Sequence, residues 1–186
     1  MAAEAGLPPL GLLDIGGGMP GDDTGTVTME GLAAVVNEAL GRLFPEEGIA
    51  VIAEPGRFFS HGTGTLAAKV IGRRVVRHCV GDDPEVLYYL ADGVYGSFNC
   101  MLYDHYTPAL PQAFRATGET VTAAPARSRM FGPTCDGLDM LYESVDFPQC
   151  EVGDWLVWGN MGAYTICAAS QFNGVEKPRI AYIRTE

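Results

Sequence analysis

The sequence has no basic excess, no Cys-x-x-Cys pair and no apolar run of membrane-spanning length, and each absence narrows what it can do. Twelve Lys+Arg stand against 23 Asp+Glu, a net charge of −11. Such a surface repels nucleic acid and anionic membranes, and it suits a cationic ligand. The five cysteines, at 79, 100, 135, 150 and 167, are odd in number and widely spaced. That argues against a disulfide framework or a cysteine zinc site and predicts reduced thiols in a cytosolic setting. His61, His78 and His105 lack metal-ligand spacing, so they are assigned no chemistry. The opening "MAAEAGLPPLGLL" lacks the positive n-region of a secretion signal. No stretch is apolar for long enough to cross a bilayer. Internal repeats and low-complexity tracts are absent as well.

What is present is an ordinary globular balance: 186 residues, 47% hydrophobic and 19% charged, enough for one medium domain or two small ones. The organisation changes near residue 61. Before it, "LLDI" and "GIAVIAEPGRFF" read as continuous apolar strands, buried on both faces. Between them Thr28 is a good helix N-cap, and Met29, Leu32, Val36, Leu40 and Leu43 fall on one helical stripe. This predicts one βαβ unit with parallel neighbouring strands. Beyond residue 61 the helical period mostly disappears. Strand-like runs appear at "TLAAKVIGRRVV", "EVLYYLADGVYGSF", "DWLVWGN", "AYTICAA" and "RIAYIRT". They predict an antiparallel sandwich or barrel. "TPALPQAFRATGETVTAAPARS" reads as a loop region and "DGLDMLYESV" as a short helix.

Chemistry-bearing residues cluster in five stretches. In "LLDIGGGMPGDD", Gly16, Gly18 and Gly21 match a dinucleotide spacing, but Pro20 and a helix delayed to Thr28 argue against it. The competing reading is a phosphate cradle at the C-terminal end of a barrel strand. Glu54 and Arg57 close "AEPGR" and either sit at that same mouth or form a local salt bridge. Cys135 and Asp136 occupy a tight turn in "GPTCDGLD", the cysteine being either an acid or nucleophile or an ordinary half-buried thiol. "DGVYGSFNCMLYDH" offers Asp92, Tyr103, Asp104 and His105, as amine ligands or as plain turn residues. Tyr164, behind Gly162 and Ala163, presents either a phenol to a phosphate or a ring to the core.

"LDIGGGMPG", "AEPGRFF", "DGVYGSFNCMLYDH", "GPTCDGLD" and "NMGAYT…FNG" follow one another in this order. Together they resemble the C-terminal part of eukaryotic-type ornithine decarboxylase, in the pyridoxal-phosphate-dependent ornithine/diaminopimelate/arginine decarboxylase family. The likeness runs from about Leu12 to the end of the chain. It implies residues 1–61 as the last two βα units of a cofactor-binding (β/α)8 barrel and 62–186 as the family's β-domain. By the same resemblance Gly16, Gly17, Gly18, Gly56, Arg57 and Tyr164 hold the cofactor's phosphate end. Glu54 keeps the pyridine nitrogen protonated, so that the ring accepts the electrons left as CO2 departs. Cys135, given across a homodimer interface, manages protonation at Cα. Asp104 and Asp136 hold the distal amine of ornithine, with Tyr103 and Phe172 beside them.

The resemblance also implies a departure. The family's cofactor-bearing lysine lies on an earlier strand, whereas the only lysines here are Lys69 and Lys177, and neither matches that motif. The expectation is therefore a portion of a cytoplasmic decarboxylase, inactive by itself. The alternatives are a non-catalytic, antizyme-binding relative and a related diaminopimelate or arginine decarboxylase. Retention of Arg57, Cys135 and Asp136 weighs against the non-catalytic reading.

Overall fold

The structure is a computed structural model that describes residues 4–6, 8, 11–22, 25–45, 48–77 and 84–184. His78 and Cys79 lie outside the described residues. The chain divides into two compact units, Met1–Thr63 and Gly64–Glu186.

In the first unit, strand β1 (Leu12–Asp14) pairs in parallel with β2 (Ala50–Ile52), Leu13 lying opposite Val51. Helix α1 (Met29–Leu43) connects them. Its start is set by Thr28, whose extended backbone turns the hydroxyl to accept from the Gly31 N–H at 3.1 Å. Helix α2 (Gly56–Ser60) follows β2 and tightens into a 3-10 turn over His61–Thr63. The expectation that both strands are buried is corrected: Leu12 is 55% exposed and Ile52 45%. A two-stranded sheet has too little apolar area to close over both of its faces.

The second unit is a six-stranded sheet in the order β5-β8-β3-β4-β6-β7. Its strands are β3 (Leu66–Val76), β4 (Glu85–Leu90), β5 (Gln112–Phe114), β6 (Pro125–Phe131), β7 (Met140–Pro148) and β8 (Trp155–Trp158). The short helix α3 (Cys100–Tyr103) lies between β4 and β5. Strand β3 serves two partners. Leu66–Lys69 pairs with β8 and Val70–Val76 pairs with β4, with a bulge at Ile71 inside the second ladder. The bulge bends the strand and curls the sheet.

Four strand pairs are antiparallel, as the pattern predicts, but β4 and β6 run parallel, Val86 opposite Ser128. The long crossover through α3 and β5 makes that pairing possible. Four local expectations are corrected, the first being that "TPALPQAFRATGETVTAAPARS" is all loop, since it carries β5 and the start of β6. "DGLDMLYESV" is a turn followed by β7, because β6 offers it a sheet edge along Ser128–Phe131. "AYTICAA" is a run of turns, since Tyr164 adopts φ 58, which no strand accommodates. "RIAYIRT" forms no ladder among the described residues, and Tyr182 is 94% exposed there.

Trp158, Tyr88, Phe98, Leu90, Met130 and Leu156 form the centre of the core. Phe98 meets Trp158 edge-on at 5.1 Å. The polar tips of these rings are satisfied inside: Trp158 Nε1 donates to the Tyr142 hydroxyl at 2.9 Å, which donates to the Pro108 carbonyl at 2.9 Å. The Tyr88 hydroxyl accepts from the Cys150 N–H at 3.0 Å. Burial pushes Tyr142 up to about 12 and Cys150 up to about 11.

Candidate functional site

In the first unit the glycine run and the "AEPGR" segment meet. The Glu54 N–H donates to the Gly16 carbonyl at 2.8 Å, and the Gly16 N–H donates to Asp14 Oδ1 at 2.8 Å. Gly17 allows this approach: a Cβ on it would stand 2.7 Å from the Glu54 carbonyl oxygen. Gly16 and Gly18 take φ of 71° and 80°, a conformation glycine adopts at no steric cost. The Gly17 and Gly18 N–H groups carry no hydrogen bond among the described residues. The Gly56 N–H donates back to the Glu54 carbonyl at 2.8 Å, which starts α2 and sets Arg57 on its first turn.

Arg57 is half-buried, and its Nη1 donates to His61 Nδ1 at 3.1 Å. His61, 2% exposed, reaches Asp22 Oδ2 through Nε2 at 3.1 Å. The Glu54 side chain is exposed. Two backbone donors, a guanidinium and a nearby carboxylate fit a phosphorylated heterocycle with a basic ring nitrogen. The dinucleotide reading fits less well, because α1 begins only after Thr28, well past Gly21.

The second unit gathers a different set. Asp92 ends β4 with a tight turn, its Oδ1 accepting from the Gly93 N–H at 2.8 Å and the Ser97 N–H at 2.9 Å. Asp92 thus shapes the turn through Oδ1, while its buried Oδ2 has no hydrogen-bond partner among the described residues. The turn presents Tyr95, whose hydroxyl donates a short hydrogen bond to Asp136 Oδ2. Asp136 Oδ1 accepts from the Leu138 N–H at 3.0 Å. Both donors favour the ionised carboxylate and hold Asp136 below the usual carboxylate range, Tyr95 contributing most. The same bond pushes Tyr95 up to about 12.

Asp139, 1% exposed, ties the two loops together. Its Oδ1 accepts from the Val94 N–H at 2.9 Å, and its Oδ2 accepts from the Thr134 N–H at 2.9 Å and hydroxyl at 2.7 Å. Cys135, exposed, sits between Thr134 and Asp136. Phe172 stacks on Tyr95 with ring centroids 4.3 Å apart. Asp92, Tyr95, Thr134, Asp139, Phe172 and Glu176 line a shallow, open hollow beside them.

Asp136 and Phe172 therefore both meet Tyr95, and Cys135 adjoins Asp136 in the same loop. Tyr103 raises Tyr95 slightly through its charge, while its own ring is 68% exposed at the end of α3. Asp104 caps that helix, its N–H donating to the Cys100 carbonyl at 3.2 Å. Tyr164 is half exposed on a loop that Asn99 pins, through the Thr165 carbonyl at 3.0 Å and the Ala168 N–H at 2.8 Å. Sequence reasoning singled out neither Tyr95 nor Asp139, though both lie inside quoted stretches. Their signal was an aromatic between glycines and a second aspartate three residues after the first. It also assigned His61 no role, because its partners Asp22 and Arg57 show no local spacing.

Two family models match the chain: "Pyridoxal-dependent decarboxylase, pyridoxal binding domain" over residues 1–61 and "Pyridoxal-dependent decarboxylase, C-terminal sheet domain" over 33–162. The chain is 44% identical to antizyme inhibitor 2 of Xenopus laevis over 189 residues, covering 98% of this chain and 41% of that protein. It is 44% identical to ornithine decarboxylase of Mus musculus over 193 residues, with the same coverage of 98% and 41%. It thus spans about two fifths of the length of these curated relatives. Among solved structures it is similar to Paramecium bursaria Chlorella virus arginine decarboxylase bound to agmatine, with TM-score 0.76 and 34% identity, over 94% of this chain and 44% of that one. The lysine/ornithine decarboxylase of Vibrio vulnificus complexed with cadaverine gives TM-score 0.77 and 36% identity, over 95% and 45%.

Proposed function

Since the chain belongs to the pyridoxal-dependent decarboxylase family, we propose that it is the C-terminal portion of an ornithine decarboxylase. Ornithine and a proton yield putrescine and CO2. Pyridoxal phosphate, when bound, supplies a conjugated ring that takes up the electron pair left by CO2. The chain's residues bind and aim it. Gly16–Gly18 and Gly56 present backbone, Arg57 a guanidinium and Tyr164 a phenol to the phosphate. Glu54 keeps the ring nitrogen protonated. Cys135 returns a proton at Cα, in an active site shared across a homodimer. Asp136 and Asp104 hold the distal ammonium, with Tyr103 and Phe172 alongside.

One observation carries the substrate assignment: the Asp136 carboxylate is held ionised by Tyr95 and the Leu138 N–H, beside an exposed thiol. A fixed anion there selects an ammonium group. The 186-residue polypeptide is proposed to be inactive alone. Lys69 lies over the Trp155 ring at 5.4 Å, the ordinary place of a strand lysine, and Lys177 is exposed beside Pro178. A cytoplasmic setting, without nucleic-acid or membrane partners, belongs to the same proposal. Among the described residues no helix is long and apolar enough to cross a membrane.

The likeness to Xenopus laevis antizyme inhibitor 2 supports a second reading, a non-catalytic regulator that binds antizyme. The two are separated by joining this chain behind the preceding, lysine-bearing region of the Mus musculus enzyme. The joined protein is expected to release CO2 from ornithine faster than from lysine, arginine or diaminopimelate, and the 186-residue chain to release none. Antizyme capture without turnover would favour the regulator, and a preference for arginine or diaminopimelate would reassign the substrate.

A further inference from the structure

We propose that His61, braced by Asp22, is a positioning residue that orients the Arg57 guanidinium and locks the glycine turn and the Arg57 segment into one frame for a phosphate dianion. The inference rests on reading Arg57 as a phosphate ligand.

The hydrogen-bond chemistry assigns each atom. Arg57 only donates, so His61 Nδ1, 3.1 Å from Arg57 Nη1, is the acceptor. The ring hydrogen is then on Nε2 and donates to Asp22 Oδ2 at 3.1 Å. One tautomer of the neutral imidazole satisfies both contacts at once. The ring is also wedged in place. It is 2% exposed, and a Cβ on Gly21 would lie 2.3 Å from the His61 Cβ. Gly21 is thus the residue that admits the imidazole.

Asp22 follows the glycine run, and Arg57 and His61 are four residues apart at α2, on one face of the turn. The relay Asp22–His61–Arg57 therefore adds a side-chain link between two chain segments that the β1–β2 ladder and the Glu54–Gly16 backbone bond also hold together. A guanidinium held by its own protein before the ligand arrives loses less rotamer freedom on binding.

The test uses the whole 186-residue chain, with His61→Leu and His61→Gln. Gln offers an amide oxygen and an N–H in place of the two ring nitrogens. Imidazole ¹⁵N spectra should show the single Nε2–H tautomer in the wild type. Exchange of the Arg57 side-chain hydrogens should be slowed in the wild type and in His61→Gln and fast in His61→Leu. Affinity for pyridoxal phosphate should fall roughly tenfold in His61→Leu, the scale of one hydrogen bond, while affinity for pyridoxal stays unchanged. Equal Arg57 exchange in wild type and His61→Leu would overturn the inference, as would a matching loss of affinity for both ligands. Should His61→Leu not fold, Asp22→Ala carries the same readout: loosened Arg57 supports the relay, and unchanged exchange refutes it. If the wild type binds pyridoxal phosphate no better than pyridoxal, the phosphate reading fails, and the exchange result still decides His61.

Discussion

Replacing Asp139 by alanine should weaken the sheet unit more than any exposed substitution, and the cost can be worked from its contacts. The carboxylate is 1% exposed and accepts three hydrogen bonds, from the Val94 N–H and from the Thr134 N–H and hydroxyl. Alanine leaves the Val94 N–H buried without an acceptor, at about 1–3 kcal/mol. Thr134 is only half-buried, so water replaces part of its loss. The two partly solvated Thr134 bonds add about 1–2 kcal/mol between them, for a total of about 2–5 kcal/mol, a large share of the ~5–15 kcal/mol that stabilises a typical domain. Asp139→Asn keeps one acceptor oxygen and should fall between wild type and alanine. Gly93 and Gly132 make room for the carboxylate, since a Cβ on either would lie 2.1 Å from Asp139 Oδ1. Urea unfolding followed by the fluorescence of Trp155 and Trp158 reads the effect. An Asp139→Ala unfolding free energy within about 0.5 kcal/mol of wild type would refute the claim that this carboxylate joins the Tyr95 turn to the Cys135 loop.

Tyr95→Phe removes the hydrogen bond that most lowers Asp136, so the acid limb of kcat/KM for ornithine in the joined protein should move to higher pH; an unmoved limb contradicts the pairing. Alkaline unfolding should begin early. Cys150 and Tyr142 keep their protons to about 11 and about 12 when folded, against 9.0 and 10.0 ordinarily, so their contribution is complete below pH 9 and is lost as pH rises through the folded values. Cys150→Ala should flatten the onset of that loss in urea melts between pH 8 and 11. Thr28→Ala should cost about 1 kcal/mol of α1 stability, measured by circular dichroism.

The parts of the fold legible in the sequence are those fixed by local chemistry. Thr28 marks the start of α1 through its own hydroxyl, and the β-branched residues of β3 and the apolar, tyrosine-bearing run of β4 declare themselves. What local pattern did not reveal depends on distant partners. Met140–Pro148 is a strand because β6 lies beside it, and the parallel β4–β6 pairing spans a crossover no window sees. The apolar run near Ile180 and Ile183 reads as a strand, yet it has no ladder among the described residues. The site shows the same division. Asp136 and Cys135 stood out through their turn, whereas Tyr95 matters through a contact 41 residues away, and His61 reaches Asp22 across 39.

The most direct measurement is CO2 release from carboxyl-labelled ornithine by this chain joined behind the Mus musculus region, with and without Asp136→Ala. The account predicts turnover, and a fall of roughly 10–100-fold in kcat/KM on losing a charge-assisted partner of the amine. Absent turnover, or equal kcat/KM in the two proteins, would contradict it.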